Sequence, residues 1–306
     1  MPISFTVIIP VFNSEKTLER ALKSVLLQTY SPSQIIVVDD HSTDTSPAIL
    51  QEFREQVEII TSNENKGPAS ARNIGIENAT GSHIAFLDAD DFWYPEKLEV
   101  VRQAIEEHTD VQVFSHKLKK VNEEFCSEFQ RDKPAGQTIF DPRTHVELMS
   151  KDDIIAMPWL GTPGVVVDRM LLDKVGFFST SLDTGEDIDL WIRLSQHSQV
   201  CRIEQTLGIV FIQKESARTR GTNTYKNHIK ILEQANQEFE INPLVLANAQ
   251  SFIYENWGSE ILALKEYDLA YRMLWKSIRC RITKRNIFLF LKAGVLSTTS
   301  KLFLTK

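Results

Sequence analysis

Residues 86–91 read Phe86-Leu87-Asp88-Ala89-Asp90-Asp91, an apolar run that ends in three carboxylates within four positions. Like charges at the end of a buried strand repel unless a cation or a donor-rich ligand neutralises them. Hard divalent cations do this. Mg²⁺ or Mn²⁺ takes one or two carboxylates and completes its shell with phosphate oxygens of its substrate. Asp88, Asp90 and Asp91 therefore read as a site for a metal ion and a diphosphate. The competing reading is a cap, with Asp90 or Asp91 at the start of a helix running from Pro95-Glu96-Lys97-Leu98. A second acidic block, Gly185-Glu186-Asp187-Ile188-Asp189-Leu190-Trp191-Ile192-Arg193, puts carboxylates ahead of a helical apolar pattern. Negative charge is favourable in a first helical turn on dipole grounds. A carboxylate at a helix start that faces a cleft is also well placed to take a proton from a hydroxyl.

The elements that must position these groups alternate regularly. Ser4-Phe5-Thr6-Val7-Ile8-Ile9-Pro10, Gln34-Ile35-Ile36-Val37-Val38, Glu58-Ile59-Ile60 and Ile84-Ala85-Phe86-Leu87 are apolar strand candidates. Between them lie helical patterns: Leu18, Ala21, Leu22, Val25 and Leu26; Ala48, Ile49, Leu50 and Phe53; Ala71, Ile74 and Gly75. This predicts an α/β fold, a mostly parallel sheet flanked by helices. Ligands of such sheets bind at the carboxyl ends of the strands. Asn13, Asp39-Asp40 and Asp88-Ala89-Asp90-Asp91 all fall at that edge, and their convergence is harder to explain as independent capping than any one of them alone.

Composition narrows the class. The chain has 306 residues, enough for one large domain and an appendage. Its net charge of −7 gives no reason to expect a nucleic-acid partner. The three cysteines, Cys126, Cys201 and Cys280, are far apart and lack metal-ligand spacing, as expected in a reducing compartment. The opening Met1-Pro2-Ile3-Ser4 carries no basic-then-apolar leader, and Ile287-Phe288-Leu289-Phe290-Leu291 falls far short of the roughly twenty residues that span a bilayer. A cytoplasmic protein is expected.

Taken in order, Val7-Ile8-Ile9-Pro10-Val11-Phe12-Asn13, Val37-Val38-Asp39-Asp40-His41-Ser42-Thr43-Asp44, Asn65-Lys66-Gly67, Ala71-Arg72-Asn73-Ile74-Gly75 and the Asp88–Asp91 cluster resemble the family 2 glycosyltransferases, with their GT-A type nucleotide-sugar fold. The Gly185–Arg193 block is similar to that family's acceptor-side motif, so the resemblance covers roughly the first 220 residues. It implies an inverting transfer of a sugar from a nucleotide-diphosphate donor, a UDP-sugar above others, to a hydroxyl of a glycan or lipid-linked acceptor in surface polysaccharide synthesis. It further implies a Mn²⁺ or Mg²⁺ cofactor. Pro10 and Phe12 would line the base pocket with Asn13 beside them, Asp40 would accept from the base edge, and Arg72 would sit near the base or diphosphate. Asp90 would contact ribose and metal, Asp91 would be the main metal ligand, and Asp88 would close the cluster. Asp187 would be the base and Glu186 would bind or orient the acceptor, with Trp159, Gly161, Trp191 and Arg193 as further acceptor or diphosphate candidates. For Trp191 core packing is favoured over sugar stacking; the competing role is a turn or cap for Asp40 and a solvated helix charge for Arg72.

One departure stands out. Where many relatives carry an aromatic-Arg-x-His pattern, this chain has Phe211-Ile212-Gln213-Lys214-Glu215-Ser216-Ala217-Arg218, without the histidine. Lys214 or Arg218 would then supply the cation, since the task is positional rather than specific to imidazole. From about Tyr225 the pattern turns helical, giving an expected division into a catalytic domain at 1–224 and a helical region at 225–306. After Asp268 every charged side chain is basic. Interleaved with Leu, Trp and Phe, such a stretch suits peripheral attachment to the inner, anionic face of a membrane; the alternative is packing on the catalytic domain with solvated lysines. Two other functions fit parts of the pattern: a catalytically silent nucleotide-sugar-binding scaffold, and a nucleotidyltransferase. The second wants a glycine-rich basic loop after the first strand, which Val11-Phe12-Asn13-Ser14-Glu15 does not offer.

Overall fold

The computed structural model describes residues 2–122, 145–157, 160–212 and 221–304. Strand β1 (Phe5–Val11) is apolar and buried on both faces, and β2 (Gln34–Asp39), β3 (Glu58–Thr61) and β4 (His83–Phe86) complete a parallel set in the order β3-β2-β1-β4. Register sets Ile9 opposite Val37 and Val7 opposite Ala85. Crossover helices α1 (Leu18–Leu26), α2 (Ser46–Glu52) and α3 (Pro68–Glu77) link these strands. The core side of α1 is Leu18, Ala21, Leu22 and Val25, the i, i+3, i+4, i+7 stripe of an amphipathic helix. The approach of α3 to β1 requires Gly75, where a Cβ would come 2.4 Å from Ile8 Cγ2.

Beyond β4 the sheet becomes mixed. Next come β5 (Phe92–Trp93), α4 (Lys97–Glu107), β6 (Val113–Asn122), β7 (Val146–Met149), α5 (Lys151–Ala156), a 3₁₀ turn at Thr162–Gly164, β8 (Val165–Asp168), α6 (Arg169–Val175), α7 (Glu186–Ser195) and β9 (Val200–Ile212). Antiparallel β8 lies between β4 and β6; β9 runs parallel to β6 and antiparallel to β5 and β7. The mostly parallel expectation thus describes the β3-β2-β1-β4 half of the sheet. Neither Asp90 nor Asp91 caps α4, whose N-cap is Glu96 without a side-chain capping bond.

The described residues of Met1–Lys151 and Trp159–Thr219 form one compact unit, and those of Asp152–Pro158 and Arg220–Lys306 a second. Four helices dominate the second: α8 (Gly221–Phe239), α9 (Pro243–Ala263), α10 (Tyr267–Cys280) and α11 (Lys284–Leu304). The Asn242 side chain caps α9 by accepting from Leu244 N at 2.9 Å. Gly258 lets α9 and α10 touch, since a Cβ there would come 2.6 Å from Leu274 Cγ. A buried polar cluster ties the ends together: Asn286 donates to Ser277 Oγ (3.1 Å) and to the Arg281 carbonyl (2.7 Å), and Ser277 Oγ donates to the Ser251 carbonyl (2.9 Å).

Candidate active site

The loops after β1, β2 and β4 open at the carboxyl ends of their strands and enclose a cleft of about 970 Å³, lined by Pro10, Phe12, Asp40, Arg72, Asp88 and Asp90 among others. Phe12 is 46% exposed there, leaving a ring face free for a planar ligand. Asn13 holds a left-handed backbone (φ 47°), which Asn tolerates better than most residues. Its Oδ1 accepts from Thr43 N (2.8 Å), while its own N–H donates to Ser42 Oγ (3.0 Å), so Asn13 knits two loops of the wall together. Asp40 is buried and accepts from Lys66 N (3.1 Å) and Gly67 N (2.7 Å), where Gly67 takes φ 85°. A carboxylate has about four lone-pair sites, so those two amides orient Asp40 without exhausting it.

The acidic turn divides its labour. Asp88 and Asp90 line the cleft, whereas Asp91 is 3% exposed and its Oδ1 accepts from Phe211 N of β9 at 3.1 Å. Burial first, then Asp88 and Asp90, push the Asp91 carboxyl up to about 9, against the opposing pull of the Phe211 amide and Arg20. Arg20 of α1 donates to the Asp90 carbonyl at 2.6 Å, and its guanidinium lies 3.9 Å from the centre of the Phe211 ring. Among the described residues no three His, Cys, Asp or Glu side chains close round an ion by themselves. A Mg²⁺ or Mn²⁺ site needs no such cage, because substrate phosphates complete the shell. The hard oxygen donors and under-compensated negative charge of this turn fit such an ion.

Arg72 joins this cluster to the second acidic block. It is 5% exposed on α3, and donates to Asp88 Oδ1 at 2.7 Å and to Glu186 Oε1 at 2.9 Å. Burial works against its charge, but Asp88 and Glu186 more than offset that and raise its pKa. Glu186 and Asp187 open α7 behind Gly185, a left-handed N-cap (φ 85°) that glycine adopts without strain. Asp187 is half-buried; its Oδ1 accepts from Ile188 N (2.8 Å), and Thr162 Oγ1 lies 3.4 Å from its Oδ2. Burial, followed by Glu186, raises its carboxyl to about 6, while the Ile188 amide and Arg72 pull the other way. A carboxylate in that range is a better base near neutral pH than an ordinary aspartate.

Other residues named from sequence lie elsewhere. Trp191 is 1% exposed, donates its indole N–H to the Leu160 carbonyl at 3.1 Å and packs on Phe86 and Phe178, so it offers no face to a sugar. Arg193 spends its donors on Asp189 (2.8 and 3.0 Å) and on the carbonyls of Val175, Gly176 and Phe177, which keeps it from a diphosphate. Gly161 precedes the 3₁₀ turn, where a Cβ would strike Leu118 Cδ1 at 2.5 Å. Trp159, Lys214 and Arg218 lie outside the described residues. Sequence reasoning missed Arg20, which lies on the side of α1 away from the Leu18–Ala21–Leu22–Val25 stripe and carries no local signal. It also missed Lys97, which is fully buried with its ammonium 3.5 Å from the Trp93 ring centre and no hydrogen-bond partner among the described residues. Burial lowers that lysine's pKa well below its usual value; burial, aided by Lys97, takes His116 down to about 3.

A parallel β3-β2-β1-β4 half with aspartates at its carboxyl edge, extended by a mixed half, is the architecture of a GT-A type fold. Residues 6–155 match the profile of Glycosyl transferase family 2. The chain is 33% identical over 222 residues to an uncharacterized glycosyltransferase of Rickettsia conorii, covering 72% of this chain and 34% of that one, so it spans about a third of that relative. It is 30% identical over 200 residues to WfgD of Escherichia coli, a UDP-Glc:alpha-D-GlcNAc-diphosphoundecaprenol beta-1,3-glucosyltransferase, covering 65% of this chain and 72% of WfgD. The fold is similar to residues 1–349 of S. aureus TarS, solved with UDP-GlcNAc, at a TM-score of 0.65 and 19% identity, covering 97% of this chain and 92% of that one. The chain belongs to glycosyltransferase family 2.

Proposed function

We propose that this chain is an inverting glycosyltransferase that moves a sugar from a UDP-sugar to a hydroxyl of a glycan or lipid-linked acceptor, in the synthesis of a surface polysaccharide at the inner face of the membrane. The observation that carries this reading is the pairing of two carboxylate sites through one buried guanidinium, Asp88–Arg72–Glu186, beside an aspartate raised to about 6. In this reading Phe12 and Pro10 hold the base and Asp40, oriented by two backbone amides, accepts from its N–H edge. Asp88 and Asp90, with Asp91 behind them, would hold Mn²⁺ or Mg²⁺, which when bound would offset negative charge on the diphosphate. Asp187 takes the acceptor hydroxyl's proton, and the Ile188 amide fixes its carboxylate for that purpose. Arg72 holds Glu186 beside it, where Glu186 orients the acceptor.

The base role is tested by comparing Asp90→Asn, at the cleft wall, with Asp187→Asn. The first abolishes metal-dependent donor binding. The second leaves binding near the parent value and lowers turnover by about 10²–10⁴-fold, the usual worth of a positioned base. Equal loss of binding in both variants contradicts this division of roles.

A further inference from the structure

Helix α11 is apolar on more than one side. Its inner side is accounted for: Asn286 and Ala293 are fully buried, and the Phe290 ring stacks on Tyr271 of α10 at 4.3 Å between centroids. Its outer side is not. Phe288 (64% exposed), Leu291 (60%) and Val295 (64%) fall within an arc of about 60° at 3.6 residues per turn, with exposed Ile287 on one flank and exposed Lys292 on the other. An apolar stripe exposed along a helix marks a surface that something covers. Charge indicates what. The 38 residues after Asp268 carry nine Lys and Arg and no carboxylate, so with a chain total of −7 the remainder stands at −16. Arg281, Lys284, Arg285 and Lys292 are exposed around the stripe, and Arg285 also reaches Glu255 at 3.3 Å. Cations bordering an apolar helix face match an anionic lipid surface: the apolar residues enter the acyl boundary while the cations meet the headgroups. Among the described residues no helix is long and apolar enough to cross a membrane, so the mode here is lying on a surface.

We infer that the outer face of α11, with Phe288, Leu291 and Val295 inserting and Lys284, Arg285 and Lys292 meeting headgroups, docks this protein on an anionic bilayer. This rests on the membrane-side reading above and narrows it to one helix face. The full chain should co-sediment with vesicles of equal parts phosphatidylglycerol and phosphatidylcholine at low salt, and not with phosphatidylcholine alone. Phe288→Ser with Leu291→Ser should weaken binding by at least about tenfold, and Lys284→Ser and Lys292→Ser by about fivefold each, the second pair losing its effect at high salt. All four side chains are exposed, so folding survives their loss; UDP binding by the same variants checks the catalytic unit separately. Binding that ignores the apolar pair, or no binding to anionic vesicles, overturns the inference. So does lipid-free self-association of the parent chain that the same pair abolishes, which would make a second copy the occupant. If vesicle binding fails while metal-dependent UDP binding persists, the glycosyltransferase reading stands.

Discussion

Replacing Asp187 by Asn should stabilise the protein while stopping its chemistry. The folded carboxyl is raised from the usual 3.8 to about 6, so the folded chain binds that proton more tightly than the unfolded chain does. The resulting penalty on the native state is absent below about pH 4, grows between about pH 4 and 6, and is complete above that. The full displacement corresponds to about 3 kcal/mol. Because Asp187 is only half-buried, about 1–3 kcal/mol is the range to expect. Asparagine retains the shape and its Oδ1 still accepts from Ile188 N, while its amide can donate to Thr162 Oγ1 in place of the contact at Oδ2. For a unit of this size the gain amounts to about 2–4 °C in Tm per kcal/mol. Thermal melts of parent and variant across pH 4–8 are the assay, read beside turnover. The melting curves should coincide at the acid end and separate as pH rises through the window, with the variant higher. A variant that melts lower at neutral pH, or a difference that does not change with pH, refutes the electrostatic account of this site.

Arg72→Met should destabilise the chain by about 2–4 kcal/mol, because it strands two poorly solvated carboxylates, and Arg72→Lys should recover only part since lysine cannot bridge both; urea denaturation at neutral pH measures each. If Arg72→Met unfolds at the parent's urea midpoint, the bridge contributes nothing. Lys97→Met should raise stability by about 1–3 kcal/mol by removing a buried amine that has no hydrogen-bond partner among the described residues, while keeping the contact with Trp93. The lysine's pKa is lowered on folding, so its penalty grows as pH falls below about 10 and the advantage of methionine grows with it. A less stable Lys97→Met in guanidinium melts would show that the amine is satisfied. Phe12→Ala should weaken UDP binding by about five- to thirtyfold without changing the melting temperature, as expected for an exposed stacking face; unchanged affinity by titration removes Phe12 from the base pocket.

The parallel half of the sheet was readable because its signals are local. Short, continuous, β-branched apolar runs such as Val7-Ile8-Ile9 and Ile35-Ile36-Val37-Val38 favour strands covered on both faces, and polar residues at their ends share one edge by topology. The mixed half was harder to read. Val165-Val166-Val167 carries no mark of its direction, and its antiparallel place between β4 and β6 depends on partners distant in sequence. Motif adjacency by itself does not fix side-chain direction. Trp191 stands five residues after Glu186, about 140° round the helix at 3.6 residues per turn, and so points into the core. Arg193 lies on the same side as Glu186, but two turns on, where Asp189 and three carbonyls hold it. The Asp88–Arg72–Glu186 bridge spans 114 positions between Arg72 and Glu186, a pairing that no local pattern encodes.

Calorimetric titration of the full chain with UDP, GDP, dTDP and CDP, each with and without Mn²⁺, tests the central claim most directly, because it probes the aspartate turn and the base pocket together. The account predicts tight binding of UDP only when Mn²⁺ is present, and weak or no binding of the other three. Absence of binding to all four, or equal affinity with and without the metal, would contradict it.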